Sequence, residues 1–233
     1  MSGSHYVVAG GGAAGFFGAI AAAEADPAAR VTLLEKSPEL LAKVTISGGG
    51  RCNVTHHCFD VDRLVRNYPR GQRELIGPFH RFQPRDTVQW FESRGVPLKV
   101  ESDGRMFPVS DSSASIVNGL RHAAQEAGVH VHTGRGLRAL HPRAGGGIDL
   151  ELTTGERMEA DRLLLATGGN KATAGYALAA SAGHSIEPPA PSLFTFNIED
   201  PTLHALAGIA VPEAVAASLQ HRLEQRGPLL ITH

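Results

Sequence analysis

The apolar positions of the first 35 residues change their period twice. Residues 5–10 (HYVVAG) and 30–35 (RVTLLE) are short apolar runs, and residues 12–25 between them are small and apolar over a helical length. Such runs predict buried strands, and a helix joining two of them predicts a βαβ unit with parallel strands. Asp26-Pro27 marks the helix end, since proline lacks a donor and restricts the residue before it.

The later pattern is mixed. Residues 43–59 are glycine-rich and polar and predict a loop, while 61–95 read as largely helical, with a stop at Gly95. A hairpin is predicted over 96–109, turning at Asp103-Gly104. Asp111 or Ser112 can cap a helix that runs to about Ala127 and ends at Gly128. Short strands follow at 129–133 and 137–141, then a hairpin over 148–160, a buried strand at 162–169 (RLLLATGG) and a helix over about 173–182.

Pro188, Pro189 and Pro191 interrupt everything and mark the best domain boundary. Residues 1–187 are read as one α/β domain, Rossmann-like and doubly wound. Residues 188–233 are read as the beginning of a second, inserted β-rich domain. SLFTFNI (192–198) alternates like a strand, GPLLITH (227–233) resembles another, and PEAVAASL (212–219) has helical propensity but is too short to decide. So short a tail builds no core alone, so the expectation is an incomplete copy of a longer protein. No internal repeat is visible.

Composition narrows the function classes. The 233 residues carry a formal net charge of −1, and 42% are hydrophobic, as in a globular protein. The balanced charge gives no footprint for nucleic acid. No apolar stretch reaches a membrane span, and no secretory leader is visible. The expected setting is a reducing cytoplasm, with Cys52 and Cys58 as free thiols.

The candidate chemistry lies in the first βαβ unit. Gly10, Gly12 and Gly15 follow a strand and open a helix, and the acidic Glu35 lies twenty positions after Gly15. This is the context that turns a bare G-x-G-x-x-G into a dinucleotide fingerprint. Gly10 permits a tight turn, Gly12 lets backbone approach a pyrophosphate, and Gly15 lets helix and strand pack closely. The helix start offers unpaired N–H groups and its positive dipole end. Glu35 is placed to accept from an adenosine ribose. FAD and NAD share this cradle, so the glycines alone leave both open.

The segment LAKVTISGGGRCNVTH (41–56) resembles the motif of the BaiN/YhiN-type flavoproteins, a bacterial family of FAD-dependent oxidoreductases. GRMFPVSDSSASIVNGL (104–120), RLLLATGG and GYALAASAGHSIEPPAPSL (175–193) match the same family in order. The resemblance implies FAD as cofactor and oxidoreduction of a small organic substrate, with NAD(P)H as a candidate electron donor. By position, Gly10, Gly12, Ala13, Ala14 and Gly15 would cradle the pyrophosphate, and Glu35 the ribose, with Lys36 beside it. Ser47, Gly48, Gly49, Gly50, Arg51, Cys52 and Asn53 would run along the flavin side. Thr167, Gly168 and Gly169 would turn close to the cofactor, and Leu137 would offer a backbone contact to adenine. The loop between Gly169 and Gly175 holds only NKATA, shorter than in the resembled family, so contacts from that loop do not carry over. No catalytic residue is assigned.

Other residues invite chemistry and are read plainly. Arg51 can serve the cofactor or pair with a surface carboxylate. Cys52 is read as a small buried residue, not a redox centre. Cys52, His56, His57 and Cys58 do not have a zinc-ligand spacing, so no metal is expected. Two further readings stay open at this stage: an NAD(P)-dependent dehydrogenase on the same βαβ unit, and a flavin-binding module without catalysis.

Overall fold

The computed structural model describes residues 3–169, 174–190 and 197–231. The chain divides into two compact units, Met1–Ile186 and Glu187–His233.

In the first unit, β1 (His5–Ala9), α1 (Ala13–Ala25) and β2 (Arg30–Leu34) form the βαβ unit. The loop expected over 43–59 contains α2 (Ala42–Ile46), a 3-10 turn at Ser47–Gly50 and the short β3 (Thr55–His56). Three helices follow: α3 (Val61–Val65), α4 (Gln72–Arg81) and α5 (Pro84–Glu92). β4 (Leu98–Val100) and β5 (Arg105–Pro108) form the expected hairpin. α6 (Ser113–Glu126) is capped by the Ser112 side chain, which accepts from the Ala114 amide. Next come β6 (His130–His132), β7 (Leu137–Pro142), β8 (Ile148–Leu152), β9 (Arg157–Ala160), β10 (Arg162–Leu165) and α7 (Ala174–Ser181).

The central sheet is parallel throughout, in the order β10-β1-β2-β6. Its two faces follow the period-2 alternation of the strands. Val8, Val31 and Leu33 pack with Phe16, Ala19 and Ile20 of α1 and with Ile116 and Leu120 of α6. Val7 and Leu34 point the other way, onto Leu140, Leu150 and Leu152 of the antiparallel meander β7-β8-β9 and onto Leu178 of α7. The architecture is therefore the Rossmann-like α/β fold, with an antiparallel meander covering much of its second face. Each buried Leu, Ile or Phe in these layers contributes roughly 1.5–3 kcal/mol of transfer free energy.

β10 departs from the fully buried strand expected. Among the described residues it pairs only with β1 and forms a sheet edge, and Leu164 is 42% exposed. Its apolar run alone could not distinguish an edge strand from a central one.

The second unit contains α8 (Pro201–His204) and the antiparallel hairpin of β11 (Ala210–Ser218) with β12 (Leu223–Leu230). The PEAVAASL stretch is extended despite its helical propensity, because Ala214–Ser218 pair residue by residue with Leu223–Gly227. Most of SLFTFNI lies outside the described residues.

Candidate functional site

A cavity of about 850 Å³ opens in the first unit at the C-terminal ends of β1, β2 and β10. This is where open parallel sheets hold ligands, and the volume suits a small-molecule site.

The glycine turn after β1 forms one wall, and its glycines are bare for different reasons. Gly10 has φ +125°, and a Cβ there would stand 2.3 Å from the Ala166 carbonyl oxygen. A Cβ on Gly15 would stand 1.7 Å from the Gly10 carbonyl oxygen. Both are glycine because the chain packs on itself. Gly12 is not: its φ is −89°, and a Cβ there would meet no chain atom within 4 Å. Gly12 caps α1 without any side-chain hydrogen bond, and Gly12, Ala13 and Ala14 line the cavity. The first-turn N–H groups of a 13-residue helix are thus presented to the opening with no side-chain cap.

Glu35 stands at the end of β2. Its Oε2 accepts from the Gly11 amide at 2.7 Å and its Oε1 from the Ser37 amide at 2.8 Å. Burial pushes this carboxyl up, but the Ser37 and Gly11 amide bonds, with the Ser37 hydroxyl and the Lys36 charge, outweigh it and hold the group below its ordinary value. Lys36 is exposed on the same rim. Leu137 does not line the cavity. It begins β7 just after Arg135, whose amide donates to the Glu35 carbonyl at 2.9 Å.

The SGGGRCN segment supplies part of the wall through Ser47, Cys52 and Asn53. Gly48, Gly49 and Gly50 have φ of +57°, +68° and +85°, a run that only glycine adopts cheaply. Gly48 is also bare for packing, since its Cβ would stand 2.8 Å from the Phe107 ring. Cys52 closes the turn by donating its amide to the Ser47 carbonyl at 2.8 Å. Its side chain is buried, and burial pushes the thiol up despite a hydrogen bond with Ser47.

Arg51 does not line the cavity. Its Nη1 lies 2.5 Å from Glu101 Oε1 and 3.5 Å from Asp111 Oδ1, and its guanidinium sits 4.1 Å from the centroid of the Phe107 ring. Glu101 holds the guanidinium above its ordinary value.

Thr167 and Gly168, after β10, line the cavity beside the glycine turn; Gly169, which follows, does not line it. Thr167 packs so closely on α7 that a Cβ on Gly175 would stand 2.0 Å from its Oγ1.

Several lining residues escaped the sequence reading: Lys43, Phe17, Phe82, Thr87 and Phe91. Phe17 meets Phe82 and Trp90 at ring-centroid distances of 5.2 and 5.1 Å. No motif marks these aromatics, which come from α1, the end of α4 and α5 and meet only through tertiary packing. Among the described residues no group of three or more His, Cys, Asp or Glu side chains could hold a metal ion, and no helix is long and apolar enough to cross a membrane.

The sequence resembles known proteins over most of its length. The HI0933-like protein Rossmann domain matches residues 4–225. A 3-dehydro-bile acid delta(4,6)-reductase of Clostridium scindens is 32% identical over 97% of this chain and 56% of its own. A ribosomal RNA dihydrouridine synthase of Escherichia coli is 27% identical over the same shares. The chain therefore spans about half the length of these relatives. Among solved structures, Thermovibrio ammonificans THI4 aligns over 78% of this chain and 64% of its own, at 14% identity and a TM-score of 0.49. With the glycine turn, the acidic end of β2 and a family match over nearly the whole chain, the protein belongs to the HI0933-like family of BaiN/YhiN-type FAD-dependent oxidoreductases, and FAD is its cofactor.

Proposed function

We propose that this chain holds FAD and serves as a flavoprotein reductase acting on a small organic substrate. One observation carries the reading: Gly12 is bare where the chain itself has no use for bareness, on a cavity wall at a helix N-terminus. A diphosphate needs that close approach to backbone N–H groups.

The residues present fit FAD. Gly10, Gly12, Ala13, Ala14 and Gly15 would hold the diphosphate by backbone. Glu35 would accept from the adenosine ribose hydroxyls through lone pairs left free by Gly11 and Ser37, with Lys36 on the same rim. Thr167, Gly168 and Gly169 would border the diphosphate, and the backbone near Leu137 would face adenine. Ser47, Gly48, Gly49, Gly50, Cys52 and Asn53 would flank the flavin, with Arg51 bracing that turn from behind. FAD, when bound, supplies two-electron chemistry with the substrate. The chain's own part is to bind, orient and keep water from the apolar end of the cavity, where Phe17, Phe82 and Phe91 stand.

The reductive direction is supported by the relatives, since one is named a reductase and the other a dihydrouridine synthase. A small substrate is supported by the more similar relative, named for a bile acid, and by a net charge of −1. NAD(P)H is the proposed electron donor.

The test is direct. The purified chain should carry a cofactor with the visible absorbance and fluorescence of flavin, released as FAD on denaturation. It should oxidise NAD(P)H in the presence of an unsaturated ketone. A colourless chain that takes up NAD alone would overturn the cofactor assignment. Turnover with ribosomal RNA and with no small ketone would overturn the substrate class.

A further inference from the structure

Two lysines line the cavity, Lys36 and Lys43; Lys36 acts electrostatically on the Glu35 carboxylate, while Lys43 forms no ion pair with a carboxylate among the described residues. Lys43 alone is held in place. Its Nζ donates to the Gly169 carbonyl at 2.7 Å. The short α2 that carries it is fixed at both ends: the Leu41 amide donates to the Gly11 carbonyl at 2.8 Å, and Ser113 Oγ donates to the Thr45 carbonyl at 2.8 Å. Leu41 itself is buried, only 1% exposed.

An ammonium has three donors. One is used on Gly169, a neutral carbonyl, so the charge of Lys43 is uncompensated and two donors remain. The elements that anchor it are those of the glycine turn: Leu41 bonds Gly11, and Gly10 packs against the Ala166 carbonyl that leads into Thr167–Gly169. The cation, the α1 N-terminus and the β10 turn therefore border one opening.

We propose that Lys43 is an anion-binding residue that holds the diphosphate of the dinucleotide together with the first turn of α1. The inference rests on the cofactor reading above. In this site the helix end supplies directed N–H groups but only a partial charge. Lys43 supplies a full positive charge, placed by the Gly169 contact. Its charge makes binding dependent on ionic strength, which backbone amides alone do so far less.

The experiment uses the full chain stripped of cofactor, titrated with ADP, adenosine, riboflavin and FAD. Lys43→Gln should weaken ADP and FAD by about tenfold to a hundredfold, the range of one charge-assisted hydrogen bond. It should leave adenosine and riboflavin unchanged and flatten the salt dependence of ADP affinity. Lys43→Arg should restore most of the loss. Equal weakening of all four ligands would make Lys43 a tie between α2 and the Gly169 turn, and the proposal would be wrong. A loss confined to riboflavin would put the charge against the ring and also overturn it. Wild-type protein that binds FAD and ADP, with Lys43→Gln binding them equally well, defeats this proposal alone. Wild-type protein that binds neither defeats the cofactor reading and this proposal with it.

Discussion

The Gly11 amide donates to Glu35 Oε2 at 2.7 Å, joining the glycine turn after β1 to the end of β2. The two motif elements are thus bonded to each other before any ligand is considered. Ser37 fixes the second oxygen at 2.8 Å, so the carboxylate points in one direction and spends no side-chain entropy on binding.

Glu35 should make folding sensitive to acid. Its folded value lies below the ordinary 4.5, so its stabilisation is fully present above that ordinary value and is lost as pH falls through the folded one. Acid unfolding monitored by circular dichroism should show a shallower pH dependence in Glu35→Gln than in wild type. Glu35→Ala should also weaken FAD by about 1–3 kcal/mol, the scale of lost bonds to a charged group. Identical acid profiles would remove the amide bonds from the stability argument, and unchanged FAD affinity would remove Glu35 from the site.

Gly12 and Gly15 should fail differently. Gly15→Ala puts a methyl 1.7 Å from the Gly10 carbonyl oxygen, so helix and strand must separate and the fold should lose roughly 1–3 kcal/mol. Gly12→Val meets no chain atom at its Cβ, so its melting temperature should stay near that of the cofactor-free wild type. FAD content should nevertheless collapse, because the branched side chain occupies the approach to the α1 amides. A folded Gly12→Val protein with full FAD would refute the cradle.

The βαβ unit was legible in the sequence because short-range patterns decide it. Strand period, helix length and the glycine spacing all act within 35 residues. A separate reason for each of the three glycines was legible there too, but not the atoms that impose it. The turn role of Gly10 and the packing role of Gly15 require the Ala166 and Gly10 carbonyls to be placed. The antiparallel meander on the second face was legible only as strands, because a hairpin pattern does not say which sheet it will cover. Lys43 was invisible for a similar reason. Its partner Gly169 lies 126 positions away, and one lysine in a short helix carries no local signal.

Cys52 should behave as a structural thiol. It is 6% exposed, and burial pushes the thiol above its ordinary 9.0, so little thiolate exists at neutral pH. Alkylation of the native protein, followed by peptide mass spectrometry, should modify the more accessible Cys58 first. Cys52 should react appreciably only at alkaline pH or after unfolding. Elemental analysis should find no stoichiometric zinc. Fast labelling of Cys52 at neutral pH would make it a reactive group and reopen a redox role beside the flavin.

Arg51 divides the two readings open to it from the start, a cofactor contact or an ion pair of the chain. Its guanidinium lies over Phe107 and between Glu101 and Asp111, and Asp111 also pairs with Lys99. Phe107 is fully buried and packs on Gly48, so the arginine braces the Ser47–Asn53 turn through that ring. If bracing is its whole role, Glu101→Gln and Arg51→Ala should lower FAD affinity by similar small factors. The double variant should then cost no more than either single one. An exposed pair contributes little to global stability, so melting temperatures should barely move. Arg51→Ala losing FAD far beyond Glu101→Gln would mean that the guanidinium leaves Glu101 to meet the cofactor. The cavity wall would then include a residue that the structure holds outside it.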